Sequence, residues 1–196
     1  MRTVTALRAT RGGRVAVELD GSPWRVVPAI AVADAGLTVG SPVERAQARV
    51  LARALRRDRA ESVTVRALAR RDRSRSELDE RLVRAGVREA DRRVTIDRAA
   101  RVGLVDDARF ARARARSLAE RGAGDALILE DLARRGIEDG AARVAVSELE
   151  PEDARAARIV EVRGRTARTL RYLASRGFGE ESVDGFVAEL EDRALP

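Results

Sequence analysis

Apolar and polar residues alternate near the beginning of the chain and recur at helical spacing over the rest of it. Val15, Val17 and Leu19 alternate with polar neighbours, which predicts a strand. Asp20-Gly21 then predicts a tight turn into a returning strand that starts at Trp24. With a further strand near Thr3–Leu7, this pattern predicts a short β-hairpin region over residues 1–40.

A two- or three-stranded ribbon is not stable alone, so we expect it to pack its apolar face on a helix. Trp24, the single tryptophan, is interpreted as a packing residue under the hairpin rather than as a ligand or DNA contact. A short helix is predicted over Ala29–Ala35, ending at Gly36.

The next segment is predicted to be a basic helix. Ser41-Pro42-Val43-Glu44 has the pattern of a capping box with proline at the first helical position, and the helix is expected to run to about Arg57. Ser62 is predicted to cap a separate helix that runs through Arg71.

A three-helix pattern follows. Ser74-Arg75-Ser76-Glu77 is a second capping box, and the helix that it begins is expected to end at Gly86. The following helix, roughly Glu89–Val102, is predicted to turn Val94, Ile96 and Ala99 inward.

The same glycine-apolar helix ending occurs three times, at Gly86-Val87, Gly136-Ile137 and Gly177-Phe178. A leucine stands four residues before each glycine. Eight residues before the first two glycines stand Leu78 and Ile128. The third repeat has Thr169 there, or shifts by one residue and uses Leu170. Its last helix is predicted to contain Val183, Phe186, Val187 and Leu190.

The sequence therefore predicts a mainly α protein with tandem three-helix repeats in an elongated, curved array, preceded by the short N-terminal β-hairpin region. A single irregular helical bundle is the alternative. The predicted segments are 1–40 for the hairpin region, 41–60 for a connecting basic helix, and 61–103, 104–150 and 151–196 for the repeats.

Composition excludes several kinds of chemistry. The 196 residues include no cysteine and no histidine, which removes disulfides, thiolate zinc sites and cysteine or histidine nucleophiles. There is no signal-peptide pattern and no apolar run of membrane length, so we expect a cytoplasmic protein without membrane contact.

Charge indicates an anionic partner. The net charge is +7, and all 39 basic residues are arginine, through coding bias or through a need for bidentate contacts. The window from Glu44 to Arg75 contains the whole excess. It is either a solvated helix surface or a surface that faces phosphates.

The stretch from Gly103 to Ile137 contains the remaining chemistry. Asp106 and Asp107 open a helix, and capping is favoured over a metal-binding pair. Arg109, Arg112 and Arg116 share one side of that helix, with Glu120 placed to neutralise part of it. We expect no cofactor, no metal and no catalysis.

Four segments within about residues 60–190 carry a family resemblance: SRSELDERLVRAGV, GLVDDARFA, RGAGDALILEDLARRGI and LRYLASRGF. Together they resemble the RecX family of RecA regulators. Asp125 departs from the family, which is often basic there. Ala113 to Ala115 also departs, since the family often has an aromatic residue in that helix.

The resemblance implies a regulator that binds the groove of the RecA–DNA filament and inhibits the recombinase and coprotease activities, thereby modulating DNA repair and the SOS response. Its expected partners are the RecA filament and, weakly and salt-dependently, single- and double-stranded DNA. The protein is expected to be a monomer. The alternative is a sequence-independent DNA-binding helical module that acts without RecA. The candidate contacts are Arg70, Arg71, Arg73, Arg75, Arg109, Arg112 and Arg116.

Overall fold

A computed structural model describes residues 2–184 and begins with a three-stranded antiparallel sheet. Its strands are β1 (Val4–Thr10), β2 (Arg14–Leu19) and β3 (Ser22–Pro28), in the order β1-β2-β3. Both residues of the β2–β3 turn have positive φ, 51° at Asp20 and 76° at Gly21, as a two-residue hairpin requires. The predicted hairpin is confirmed, and so is the predicted further strand in front of it, which covers Val4–Thr10.

The inner face of the sheet packs on two helices, α1 (Ala29–Asp34) and α2 (Arg45–Leu68). Val17 and Leu19 of β2 are buried in this core together with Leu51 of α2. Trp24 is partly buried against the same cluster, so its interpretation as a packing residue is confirmed.

Helix α2 contradicts two details of the prediction. It is continuous over 24 residues, so the separate helix capped by Ser62 is wrong. The Ser41 capping box is also wrong. The Ser41 hydroxyl donates to Thr38 O at 2.6 Å, and the helix begins after Glu44, whose N–H donates to Gln47 Oε1 at 2.9 Å. The predicted boundary between residues 60 and 61 falls inside α2, and the division into repeats stays a prediction.

Seven further helices lie within residues 2–184. They are α3 (Arg75–Arg84), α4 (Glu89–Arg101), α5 (Asp107–Glu120), α6 (Asp125–Arg134), α7 (Asp139–Ser147), α8 (Glu152–Arg163) and α9 (Ala167–Ser175). None of the helices in this part of the chain combines the length and the hydropathy that a membrane crossing requires. The helix predicted around Phe186, Val187 and Leu190 lies outside the described residues.

The three glycine-apolar helix ends are confirmed. Gly86, Gly136 and Gly177 end α3, α6 and α9 with φ between +68° and +79°. The N–H of the following residue bonds the carbonyl five positions earlier, which is the Schellman arrangement; Phe178 N–H, for example, donates to Leu173 O at 3.2 Å. The apolar residue after each glycine is buried.

Two other predicted faces can be compared with the structure. Thr169 is buried, so the third repeat keeps its register without a shift to Leu170. In α4, Ile96 and Ala99 are buried, but Val94 is 60% exposed, and its predicted inward position is wrong. Val94 and Ile96 stand two residues apart, or about 200° around a helix, and therefore cannot share a face.

The chain divides into two compact units. The first contains the residues up to Arg70 together with Asp79–Arg98, and its core lies between the sheet, α1 and α2. The second contains Arg71–Leu78 together with the chain from Ala99 onward. One core of the second unit is centred on Ala111, Ala115, Ile128 and Leu132, and another on Val160, Leu173 and Phe178.

Candidate functional site

The carboxylate of Glu77, in the first turn of α3, joins two arginines that are distant in sequence. Its oxygens accept from Arg71 Nη1 at 2.7 Å and from Arg135 Nη1 at 2.5 Å, and its side chain is only 13% exposed. Burial opposes ionisation of Glu77, but the two guanidinium groups outweigh it and lower the pKa. Arg71, a predicted binding residue, is thus part of an ionic contact inside the second unit.

A second carboxylate extends this contact to α5. Asp131 accepts from Arg114 Nε at 2.7 Å and from Arg135 Nε at 2.8 Å. The hydrogen bonds from Arg114 and Arg135 hold the pKa of Asp131 well below its ordinary value. The resulting five-residue network consists of Arg71, Glu77, Arg135, Asp131 and Arg114. It connects α3, α5 and α6.

The other arginines predicted near this segment lie in different surroundings. Arg70 belongs to the first unit, is exposed and has no partner among the described residues. Arg73 is half-buried and Arg75 is exposed, and both take part in interactions. The Arg75 backbone N–H donates to Asp107 Oδ1 at 2.8 Å, so the beginning of α3 lies against the beginning of α5.

The three candidate arginines of α5 are all exposed, as expected because they share one side of the helix. Arg109 Nη1 donates to Gly103 O at 3.2 Å, and Arg112 Nε pairs with Glu148 at 3.0 Å. Arg116 has no partner in the described part of the chain, and the expected neutralisation by Glu120 is not observed there. Arg109 and Arg116 therefore keep donors available to a ligand.

The two aspartates at the beginning of α5 each receive a backbone hydrogen bond. Asp106 Oδ1 accepts from Arg109 N at 2.9 Å and caps α5, as predicted. This hydrogen bond, together with the Arg109 guanidinium, lowers the pKa of Asp106. Asp107 Oδ1 instead accepts a hydrogen bond from the Arg75 backbone N–H, the first of α3. Residues 2–184 contain no group of three metal-ligating side chains.

A contact that the sequence pattern did not predict occurs twice: the end of α6 or α9 meets the beginning of the equivalent helix one repeat earlier. We call this contact the helix-end junction. At the first junction, the Ser74 hydroxyl donates to Arg135 O at 2.6 Å. At the second, Gly124 N–H donates to Arg176 O at 2.8 Å, and Ala126 N–H donates to Gly177 O at 3.1 Å.

The acceptor is the equivalent carbonyl in both cases, that of the residue before the terminal glycine. The first repeat follows the same rule with a different donor, because the Arg59 guanidinium of α2 donates to Ala85 O. The arginine that precedes the glycine in RGI and RGF is the signal that reasoning from sequence could have used. Arg135 reaches Glu77, and Arg176 Nη2 reaches Arg121 O at 2.8 Å.

A buried arginine stabilises the second junction. Arg155 is 6% exposed and donates to Ala123 O at 2.7 Å, to Glu150 O at 3.0 Å and to the Asp125 carboxylate. Burial raises the pKa of Asp125, although Arg155 opposes the shift. Asp125 is therefore engaged in an internal contact.

Beside it, Glu152 accepts from Asp125 N at 2.5 Å, Gly179 N at 3.0 Å and Ser182 Oγ at 2.6 Å. Burial opposes ionisation of Glu152, but these donors outweigh it and lower the pKa. Asp125 and Glu152 thus stabilise the second junction, as Glu77 stabilises the first. The arrangement contains no converging pair of unpartnered carboxylates among the described residues.

Comparison with known proteins finds a matching family model and similar sequences. The family model "RecX, second three-helix domain" matches residues 106–146. Regulatory protein RecX of Chromohalobacter salexigens is 41% identical over 128 residues, which are 61% of this chain and 84% of that protein. Regulatory protein RecX of Thermobifida fusca is 34% identical over 133 residues, 61% of this chain and 72% of that protein.

Two solved structures share the fold. A crystal structure of regulatory protein RecX matches with a TM-score of 0.76 and 19% identity, covering 96% of this chain and 100% of that one. RecX from Lactobacillus salivarius matches with a TM-score of 0.60 and 18% identity over 70% of this chain and 98% of that one. The mainly helical fold with a small N-terminal sheet is thereby confirmed.

Proposed function

We propose that this chain regulates RecA, because it belongs to the RecX family of regulatory proteins. In detail, it binds the groove of the RecA–DNA filament and inhibits the recombinase and coprotease activities, and thereby limits DNA repair by recombination and the SOS response. Family membership, carried by the 41% identity to a regulatory protein RecX, is the observation on which this proposal rests.

The helix-end junctions support a role in binding a polymer. One junction joins α6 to α3 and the other joins α9 to α6, each through the carbonyl of the residue before the terminal glycine. Equivalent surfaces therefore recur along the chain. A protein with recurring equivalent surfaces suits a filament, since neighbouring RecA subunits also present equivalent surfaces. Occupation of the groove blocks the sites at which duplex DNA and cleavable repressors engage.

The exposed arginines support a second, sequence-independent attraction to DNA. Arg70 and Arg116 have no partner among the described residues, and Arg109 bonds only a carbonyl there. Guanidinium groups that face no carboxylate can bind phosphates without first breaking an ion pair. Arg71 and Arg112 face carboxylates and contribute less to DNA binding.

The protein acts by binding alone in this proposal, as a monomer in the cytoplasm. The similar curated proteins are named regulatory proteins, which agrees with a role other than catalysis. Binding to free single- and double-stranded DNA is weak and falls with salt, so the RecA filament supplies most of the affinity.

RecA-promoted strand exchange tests the proposal. Preformed RecA filaments are titrated with the protein, and binding to bare DNA is measured in the same buffer. The proposal predicts inhibition well below the concentration that coats bare DNA. Inhibition only at DNA-saturating concentrations contradicts it and supports a DNA-binding module that acts without RecA.

The variant Arg70→Glu/Arg116→Glu separates DNA attraction from folding, because neither side chain has a described partner to lose. We expect it to fold normally and to inhibit less than the wild type at low salt, with the difference becoming smaller as salt rises. Arg134→Glu/Arg143→Glu is the control with the same charge change. Both side chains are exposed, on α6 and α7, and each already pairs with an acid of its own helix.

A further inference from the structure

The segment from Val162 to Gly179 is rich in arginine and contains no carboxylate. Its arginines are Arg163, Arg165, Arg168, Arg171 and Arg176. Elsewhere, exposed helical arginines commonly face an acid one turn away, as Arg84 faces Glu80 and Arg143 faces Asp139. The end of α8, the turn after it and α9 therefore concentrate arginine side chains.

One of these arginines is held in place by an aromatic ring. The Arg163 guanidinium at the end of α8 lies 3.9 Å from the ring centroid of Tyr172, the single tyrosine, on α9. Such stacking fixes the guanidinium plane but leaves the N–H groups at its edges free to donate. Within residues 2–184, Arg163 makes no hydrogen bond or ion pair.

Two further arginines stand on the same side of α9 as the stacked pair. Arg168 is three residues before Arg171 and four before Tyr172, which makes these side chains neighbours on a helix. Both arginines are exposed and neither has a partner in the described part of the chain. Like charges at this spacing repel each other and destabilise a helix. A bound anion removes that cost.

An open groove adjoins the stacked pair. It has a volume of about 450 Å³, which lies within the range of small-ligand sites. Ile159, Val162 and Phe178 provide apolar walls next to Arg163 and Tyr172, and Val162 is 87% exposed. Apolar walls beside a guanidinium group suit a flat ring that is attached to a phosphate backbone. An unpaired nucleobase of single-stranded DNA is such a group.

We propose that Arg163, Arg168 and Arg171 bind the phosphates of single-stranded DNA, with an unpaired base in the groove beside Tyr172. Tyr172 is a positioning residue that holds the Arg163 guanidinium. This inference deepens the proposed function and rests on it for the choice of DNA as the ligand.

The test measures binding of a fluorescent oligothymidylate to the full-length protein without RecA, over a range of salt concentrations. Each of Arg163→Gln, Arg168→Gln and Arg171→Gln is expected to make the slope of log K against log salt less negative by about 0.7, and the triple variant by roughly 2. Arg143→Gln, an exposed arginine of the same unit, is the control with the same charge change and is expected to leave the slope unchanged.

Two comparisons test the groove and Tyr172. An abasic oligomer of equal charge is expected to bind more weakly than oligothymidylate to the wild type. Tyr172→Phe is expected to keep the Arg163 contribution, whereas Tyr172→Leu is expected to lose it. Thermal denaturation confirms that each variant is folded.

An unchanged slope in the triple variant overturns the inference, even if RecA inhibition persists. The same holds if the triple variant loses binding to RecA filaments but keeps its binding to bare DNA, because the surface then contacts protein. A reduced slope in a protein that does not inhibit RecA supports this site and contradicts the proposed function, so the two failures are distinguishable.

Discussion

Gly124 is the position where a single methyl group tests the second helix-end junction. An ideal Cβ at Gly124 lies 2.3 Å from the carbonyl carbon of Gly177 and equally close to Phe178 N. These are backbone atoms and cannot rotate away. Gly124 has a φ of −79°, which any residue adopts, so Gly124→Ala adds steric overlap without backbone strain.

The overlap forces the end of α9 away from the beginning of α6. The displacement weakens two hydrogen bonds, Gly124 N–H to Arg176 O and Ala126 N–H to Gly177 O. Overpacking costs about 1–3 kcal/mol, and each weakened bond costs up to about 0.5–1.5 kcal/mol. Alanine recovers about 0.4–1 kcal/mol by restricting the unfolded chain. The expected net loss is about 1–6 kcal/mol, and each kcal/mol lowers Tm by about 2–4 °C in a chain of this length.

The matched control is Gly103→Ala. Gly103 has a φ of +72° but no atom within 4 Å of an added Cβ, so its substitution introduces strain alone, roughly 1–2 kcal/mol. Thermal denaturation gives the two losses. Amide hydrogen exchange at α9 then localises them, because only Gly124→Ala is expected to lower protection of the Leu173 and Phe178 amides. Unchanged α9 protection in Gly124→Ala would refute the assigned contact.

Three further predictions concern the ionic network and the core. Arg135→Met leaves Glu77 and Asp131 without a shared partner. Urea denaturation at pH 7 is therefore expected to show a free energy of unfolding lower by about 1–3 kcal/mol. The exposed Arg134→Met is the control and is expected to lower it by less than about 0.5 kcal/mol. Glu77 has a folded pKa below its ordinary 4.5, so its contribution to stability is present above pH 4.5 and is lost as pH falls through the folded value. Glu77→Gln is therefore expected to lose less stability than the wild type on acidification from about pH 5 to pH 3, and an equal loss in both contradicts the assignment. Leu132→Ala, at a fully buried position, is expected to cost about 2–5 kcal/mol in the same assay, and a loss below 1 kcal/mol contradicts its core position.

Local rules account for the parts of the fold that could be predicted. A glycine with positive φ followed by an apolar residue defines a helix end within six residues, and the three ends predicted on this pattern are observed. The Asp106 cap and the Asp20-Gly21 turn are local in the same sense. Each depends on neighbours in sequence, so sequence alone contains the necessary information.

The features that could not be predicted depend on distant partners or on context. Arg135 contacts Glu77 across 58 positions, and no periodicity indicates that pairing. Ser62 is a common capping residue, but no glycine or proline interrupts the helix before it, so α2 continues through it. Arg71 and Arg116 were both candidate contacts from sequence, but they differ in role. Arg71 lies inside the network, whereas Arg116 is exposed without a described partner.

Sedimentation of the protein with preformed RecA–DNA filaments, compared with bare DNA of the same length and at the same ionic strength, tests most directly whether the chain recognises the nucleoprotein filament. The account predicts co-sedimentation with the filament at concentrations and salt levels at which bare DNA retains little protein. Equal retention by filament and bare DNA across the salt range, or no retention by the filament at low salt, would contradict it.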